Sequence, residues 1–221
     1  LYEYYRKNYK HNNGSIFKDF KINSTEYTNN NWVINDEISS DVIVNASGAW
    51  ADEVAKVFNI KPVNVMPKKR TVFVFKPNNL KIDNKWPLVA DVEEKFYFKN
   101  QNEQIYVSPA DETPSYPHDC FPDDLDIAVG IDRIKKSTLF EFNSIEHKWS
   151  GLRTFVNDKS PVIGFENSKE NFFWLVGQGG YGIQTAPALA EISANLILKK
   201  KNNFFLNNST MYNISIERIR K

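Results

Sequence analysis

The 221-residue chain predicts a mixed α/β fold of the α+β kind. Both ends of the chain build an α/β ligand-binding portion, and an antiparallel sheet is inserted between them. Three observations predict this. Two junctions of the strand, small-residue, helix kind stand far apart in the chain, at residues 44–50 and 176–183. Between them, from Pro62, short alternating segments are separated by Pro- and Asn-containing turns, the texture of an antiparallel sheet.

In chain order, Tyr2-Glu3-Tyr4-Tyr5-Arg6-Lys7 reads as the tail of a helix already under way, so the chain is expected to be the later part of a longer one. Asn13-Gly14 turns into residues 15–22, a strand candidate. An Asn-rich turn at residues 28–31 separates it from Trp32-Val33-Ile34, giving a hairpin-like pair. Asp41-Val42-Ile43-Val44-Asn45-Ala46 is a near-continuous apolar run of the buried-strand kind. Ala46-Ser47-Gly48-Ala49 ends it, and a short helix follows through Trp50, Val54, Val57 and Phe58. Strands are expected over residues 63–76, 88–91, 96–99 and 104–108. Pro122-Asp123-Asp124 opens a helix with acids first and bases last, through Leu125, Ala128, Val129, Ile131 and Ile134 to Lys136. Residues 137–142 are a further strand candidate. Trp149-Ser150-Gly151-Leu152-Arg153 then returns to the first architecture. The boundaries that follow are 1–61 for the first part of the ligand-binding domain, 62–150 for the inserted substrate domain and 151–221 for the return.

The second junction is the more informative. Phe172-Phe173-Trp174-Leu175-Val176 reads as a buried strand, Gly177-Gln178-Gly179-Gly180-Tyr181-Gly182 follows, and Ile183, Ala186, Leu189, Ala190, Ser193, Leu196 and Ile197 recur at helical spacing. Backbone N–H groups at a helix start favour an anion or an electron-rich group. The loop fits G-x-G-x-x-G, but a dinucleotide fingerprint also needs a second strand and an acid about 20 residues on. Here the helix runs into Lys199-Lys200-Lys201-Asn202-Asn203. A nicotinamide dinucleotide site therefore fails on context, and glycines serving close packing alone are the plainer alternative.

Composition narrows the classes. A net charge of +1 gives no global field for nucleic acid or an anionic membrane. The single cysteine, Cys120, leaves no internal disulfide, and His11, His118 and His147 lack ligand spacing. No metal site is expected. No apolar run approaches the ~18–20 residues that span a bilayer. Ser47 beside Gly48 is not a nucleophile elbow, and His147 stands outside any metal-binding helix pattern. A chain without its own acid, base or metal set delegates the chemistry to a cofactor. Two arginines could hold an anion by paired charge-assisted bonds. Arg70 precedes the apolar run Thr71-Val72-Phe73-Val74-Phe75, and Arg153 lies among Trp149, Leu152 and Phe155. Burial among such neighbours obliges a guanidinium to find an anion. Tyr97 could donate its hydroxyl to the same group.

The ordered blocks Val44-Asn45-Ala46-Ser47-Gly48-Ala49-Trp50-Ala51-Asp52, Trp149-Ser150-Gly151-Leu152-Arg153, Pro161-Val162-Ile163-Gly164 and residues 177–185 resemble the FAD-dependent D-amino acid oxidase superfamily, and within it D-arginine dehydrogenase-like and glycine or sarcosine oxidase-like enzymes. Pro67-Lys68-Lys69-Arg70-Thr71, Phe96-Tyr97, Ser108-Pro109-Ala110, His118-Asp119 and Leu125-Asp126-Ile127-Ala128 support it at matching separations. The family's early G-x-G-x-x-G, its ribose-binding acid and its early active-site histidine and glutamate have no counterpart here. The resemblance thus implies a C-terminal part of a Rossmann-like FAD/NAD(P)-binding domain, with catalytic groups outside this chain.

It implies that Arg70, Tyr97 and Arg153 grip a substrate carboxylate and that the Gly180 carbonyl orients the amine. Backbone of Gly179, Gly180, Tyr181, Gly182, Ile183 and Gln184 would lie near the flavin pyrimidine side. Ala46 and Gly48 would let the first junction approach FAD, and Asp19 would meet the adenine end through its backbone. The implied reaction oxidises the CH–NH2 bond of a D-amino acid by hydride transfer to flavin N5, giving an imino acid, then a 2-oxo acid and ammonia. A glycine- or sarcosine-type amine oxidase and a non-catalytic remnant with half a flavin site are the alternatives. The expected partner is a small amino acid, and the expected location cytoplasmic, with membrane association through an electron acceptor left open.

Overall fold

The computed structural model describes residues 1–169, 171–200 and 207–221. These form two compact units, Leu1–Asp41 and Val42–Lys221.

In the first unit, helix α1 (Tyr2–His11) precedes a three-stranded antiparallel sheet of β1 (Thr25–Thr28), β2 (Asn31–Ile34) and β3 (Ile38–Ser40). The β1–β2 turn places Asn29 and Asn30 at φ of 50° and 62°, left-handed values that asparagine tolerates and hairpin turns demand. The strand expected over residues 15–22 is absent, and β1 starts later. The Asn35 side chain accepts from the amides of Asn23 and Ser24, at 2.8 and 3.1 Å, and donates to the Lys21 carbonyl at 2.8 Å. One side chain therefore satisfies backbone groups that a ladder would otherwise have used.

The second unit opens with β4 (Ile43–Asn45) and α2 (Ala51–Val57), then β5 (Met66–Phe75), β6 (Val89–Ala90), β7 (Tyr97–Gln101) and β8 (Gln104–Ser108). Helix α3 (Asp124–Ser137), β9 (His147–Phe155), β10 (Val162–Phe165), β11 (Phe172–Val176), α4 (Gly182–Ile197) and α5 (Asn208–Ile214) follow. One sheet has the order β6-β7-β8-β5-β9 with every pair antiparallel. The Trp149–Arg153 block thus belongs to this sheet: β9 pairs with β5 along its whole length, from Met66 opposite Phe155 to Val74 opposite His147. The expected strand at 137–142 is irregular instead. There the Thr138 hydroxyl donates back to the Ile134 carbonyl at 2.7 Å, and Phe140 drops into the core.

Alternation along β5 decides which face is covered. Phe73 and Phe75 turn toward Phe98, Ile105 and Val107 of the neighbouring strands and toward Ile127 and Ile134 of α3. Each such side chain contributes roughly 1.5–3 kcal/mol by leaving water. Asp123 caps α3, accepting from the Leu125 amide at 2.8 Å. The opposite face carries Lys68, Arg70 and Val72.

The second sheet has the order β10-β11-β4. The pair β10–β11 is antiparallel and β11–β4 parallel, with Phe173 opposite Val44 and Trp174 opposite Asn45. Strand β11 is buried, and Leu189 and Ile192 of α4 pack on Phe173 and Ile163. Strand β4 is shorter and less covered than its composition suggests, since Val44 is exposed. Because β4 and β11 run parallel, the loops that leave them emerge side by side. This mixed α/β architecture agrees with the fold class read from the sequence. Among the described residues, no helix is long and apolar enough to cross a membrane.

Candidate functional site

The uncovered face of the β5–β9 ribbon carries the expected anion-binding groups. Register places Arg153 opposite Lys68 and Gly151 opposite Arg70, while Tyr97 stands opposite Ser108 on β7–β8. Arg70 lies in the middle of β5. The Arg153 Nη2 lies 3.3 Å from the Tyr97 hydroxyl, and the Arg70 guanidinium sits 6.0 Å from the Tyr97 ring centroid. Three residues scattered over more than eighty positions of sequence thus meet on one face.

The glycine loop rests on this cluster. Gly179 donates to the Thr154 carbonyl at 2.9 Å, and a Cβ there would stand 2.6 Å from the Phe155 ring. With φ of 55°, glycine is required both for space and for conformation. A Cβ on Gly180 would stand 2.9 Å from Arg153 Nη1, so the missing side chain is what lets the loop touch the guanidinium. Tyr181 caps α4 without a side-chain hydrogen bond. The amides of Gly182, Ile183 and Gln184, which have no acceptor inside the helix, open it beside exposed Tyr181 and Ile183.

The first junction is built from buried Asn45. Its amide donates to the Ala51 carbonyl at 2.9 Å, and its Oδ1 accepts from the Ser47 hydroxyl at 2.6 Å. Ala46 is exposed, and Gly48 starts a 3-10 turn at φ of 58°. Asp52 accepts from the Val63 and Val65 amides at 2.9 and 2.8 Å, fixing the path into β5. A cleft of about 510 Å³ opens between Ala46–Trp50, the loop around Cys120 and β9 near Gly151. A Cβ on Gly151 would meet nothing within 4 Å. Burial pushes the Cys120 thiol up. Asp19, the expected adenine-end contact, belongs to the first unit, where it is exposed in a bend at φ of 55°.

Charge is distributed unequally over this face. Among the described residues, no carboxylate stands within ion-pair distance of half-buried Arg153. Arg70 is paired: its Nη2 lies 3.0 Å from Glu112 Oε1, while Glu112 Oε2 lies 3.0 Å from Lys68 Nζ. The Lys68 hydrogen bond holds the Glu112 carboxyl below its ordinary range, against partial burial, with Arg70 adding to the effect. Glu112 is a site residue that the sequence reading missed. The signal was available: Asp111-Glu112 directly follows Ser108-Pro109-Ala110, and the Lys68-Lys69-Arg70 run needs a counter-ion. Asp111 fixes the loop by accepting from the Thr71 amide and hydroxyl at 2.7 and 2.9 Å.

Comparisons with known proteins bear on this arrangement. A family profile described as DAO, FAD dependent oxidoreductase, matches residues 1–196. FAD-dependent oxidoreductase domain-containing protein 1 of Xenopus laevis is 27% identical over 185 residues, which cover 73% of this chain and 35% of that protein. The structure of L-proline dehydrogenase from P. horikoshii superposes with a TM-score of 0.72 at 21% identity, covering 88% of this chain and 53% of that one. Glycine oxidase from Geobacillus kaustophilus gives 0.66 at 17% identity, covering 89% and 52%. The chain therefore spans about a third of the curated relative's length and about half of each solved structure.

Proposed function

The chain belongs to the DAO family of FAD-dependent oxidoreductases, and from that premise we propose that it supplies the substrate-carboxylate site and the flavin-facing glycine loop of an amino acid oxidase or dehydrogenase. The observation that carries this reading is Arg153, a half-buried guanidinium with no carboxylate partner among the described residues, held by Tyr97 and approached by the Gly180 loop. A cation in that setting calls for an external anion.

The residues present fit FAD. Two small-residue junctions emerge side by side from parallel strands, an uncapped helix start offers amides to an electron-rich ring, and Gly151 leaves open space beside them. Ala46, Gly48 and residues 179–184 would hold the cofactor. When bound, FAD supplies the two-electron acceptor for the substrate C–H bond. The chain's own residues do the rest by placement. Arg153 and Arg70 take the carboxylate, Tyr97 braces both guanidinium groups, and the Gly180 carbonyl accepts from the amine. Fixing both ends of a small zwitterion leaves its α-carbon in one orientation, a large share of what such a transfer needs. The domain boundaries 1–61, 62–150 and 151–221 remain part of this proposal, with β9 (His147–Phe155) crossing the last of them.

For the substrate we propose a D-amino acid. A secondary amine or glycine is the second reading, favoured by the fold's likeness to an L-proline dehydrogenase and a glycine oxidase. A panel of D- and L-amino acids, glycine, sarcosine and proline, offered to the longest natural form of the protein, separates them. Flavin binding is read as absorbance near 450 nm (roughly, as for any bound flavin). In that form Arg153→Ala is expected to lose about 2–5 kcal/mol of carboxylate binding. An unchanged kcat/KM would falsify the carboxylate role.

A further inference from the structure

Lys68, Arg70 and Arg153 occupy adjacent positions on one sheet face, with Lys68 directly opposite Arg153. Three cations so close repel one another and would attract more anionic charge than one carboxylate carries. Among the described residues a single acid answers them. Glu112 spends one oxygen on Lys68 and the other on Arg70, both at 3.0 Å. The Arg70 side chain is only 11% exposed, and its Nε–H is buried without an acceptor. Arg153, hydrogen-bonded to the Tyr97 hydroxyl and without a carboxylate at ion-pair distance among the described residues, is what remains for a single ligand carboxylate.

We infer that Glu112 is the positioning and selectivity residue of this cage. It holds the Arg70 fork in place, and its negative charge closes Lys68 and that fork to a second carboxylate. The site therefore takes monocarboxylate amino acids and rejects dicarboxylates such as aspartate and glutamate. The inference rests on the carboxylate-cage reading above and adds the charge class of the substrate. Part of the loop's stiffness comes from Asp111, which ties it to Thr71, so Glu112 reaches both cations from a fixed base.

The test is an NMR titration of the longest natural form of the protein, following arginine Nε–Hε signals, with acetate and malonate at equal ionic strength. In the unaltered chain, acetate shifts the Arg70 and Arg153 signals, and malonate binds no better than acetate. Glu112→Gln is expected to move the malonate-to-acetate affinity ratio toward malonate by about tenfold, while Glu112→Asp restores the original preference. Lys68→Gln changes the ratio the other way, because Glu112 is then less neutralised; it also decides the matter should the Glu112→Gln chain fail to fold. A ratio that stays flat across these variants, with acetate binding still lost in Arg153→Ala, overturns the inference and leaves the cage standing. If neither anion perturbs Arg153, the cage reading and the inference fall together.

Discussion

Arg153 and the two glycines beside it show how much a single missing side chain decides. Gly179 and Gly180 are neighbours, yet they answer to different constraints. Gly179 sits at φ of 55° with Phe155 too close for any Cβ, so Gly179→Ala both strains the backbone and displaces an aromatic ring. A cost of about 1–3 kcal/mol is expected from the conformation alone, read as a lower urea midpoint. Gly180 has no left-handed φ among the described backbone angles, and its obstacle is the far end of a flexible side chain, Arg153 Nη1 at 2.9 Å. Gly180→Val should therefore fold with a nearly unchanged midpoint but push the guanidinium aside. Acetate binding is expected to weaken about thirtyfold, the smaller end of what removing one partner of a buried charge pair costs. Equal stability losses in the two variants would show that the loop does not rest on Arg153 as described. At this scale the sequence was informative about Arg153, because an arginine among large apolar residues is anomalous on sight. Glu112 was not, because an exposed-looking acid in a loop is ordinary until the cations it bridges are brought to the same face.

At the scale of elements, the two junctions are held by different means. The glycine loop is shaped by space, whereas the first junction is shaped by one buried amide. Asn45 bonds the Ala51 carbonyl and the Ser47 hydroxyl at once, bracing the turn out of β4 in which Gly48 takes a left-handed φ of 58°. Asn45→Ala removes the side-chain donor to the Ala51 carbonyl, which keeps its helical bond, and the acceptor of the Ser47 hydroxyl. A loss of about 0.5–1.5 kcal/mol is expected for a hydrogen bond of this kind. It should be visible as faster hydrogen exchange through residues 46–52, and unchanged protection there would refute the bracing role. The elements whose limits were legible in the sequence are those with strong local signals. Asp123 announces α3 with a capping carboxylate, and the buried Phe172–Val176 run announces β11. The misread segments lack such signals. Residues 15–22 alternate acceptably for a strand, but their neighbours' backbone groups are answered by Asn35 from twelve residues on. Residues 137–142 contain β-formers that are apolar because Phe140 packs beneath the sheet, not because they join it. Local pattern reports burial and period; it does not report which distant group will satisfy the backbone.

At the scale of the whole second unit, the last residues of the chain act as a clasp. Arg218 holds Asp158, with Nε to Oδ2 at 2.7 Å, and Arg220 reaches three sequence-distant places. Its Nη1 donates to the Pro62 carbonyl at 3.0 Å, its Nη2 to the Lys61 carbonyl at 2.5 Å, and the same Nη2 meets Glu166 at 2.6 Å. The Trp174 indole donates to that carboxylate at 3.0 Å. The clasp thus joins the approach to β5 with the β10–β11 hairpin, the two strands' worth of structure on which both halves of the candidate site depend. Burial alone would raise the Glu166 carboxyl, but the hydrogen bonds from Arg220 and Trp174 outweigh it and hold the group below its ordinary range. The folded form therefore binds its proton less readily than the unfolded chain does. The clasp's contribution is complete above the ordinary glutamate value, about 4.3, and is lost as pH falls below that value and through the depressed folded one. Breaking the pair outright leaves an uncompensated buried charge, so Arg220→Ala is expected to cost about 3–5 kcal/mol at neutral pH. Glu166→Gln removes the titrating group and should flatten the acid limb of the stability curve between about pH 4.3 and the acid transition. Urea unfolding at closely spaced pH values reads both effects. An acid limb equally steep with and without Glu166 would assign the pH dependence to exposed pairs such as Lys148 with Asp124, which solvent screens and which contribute little.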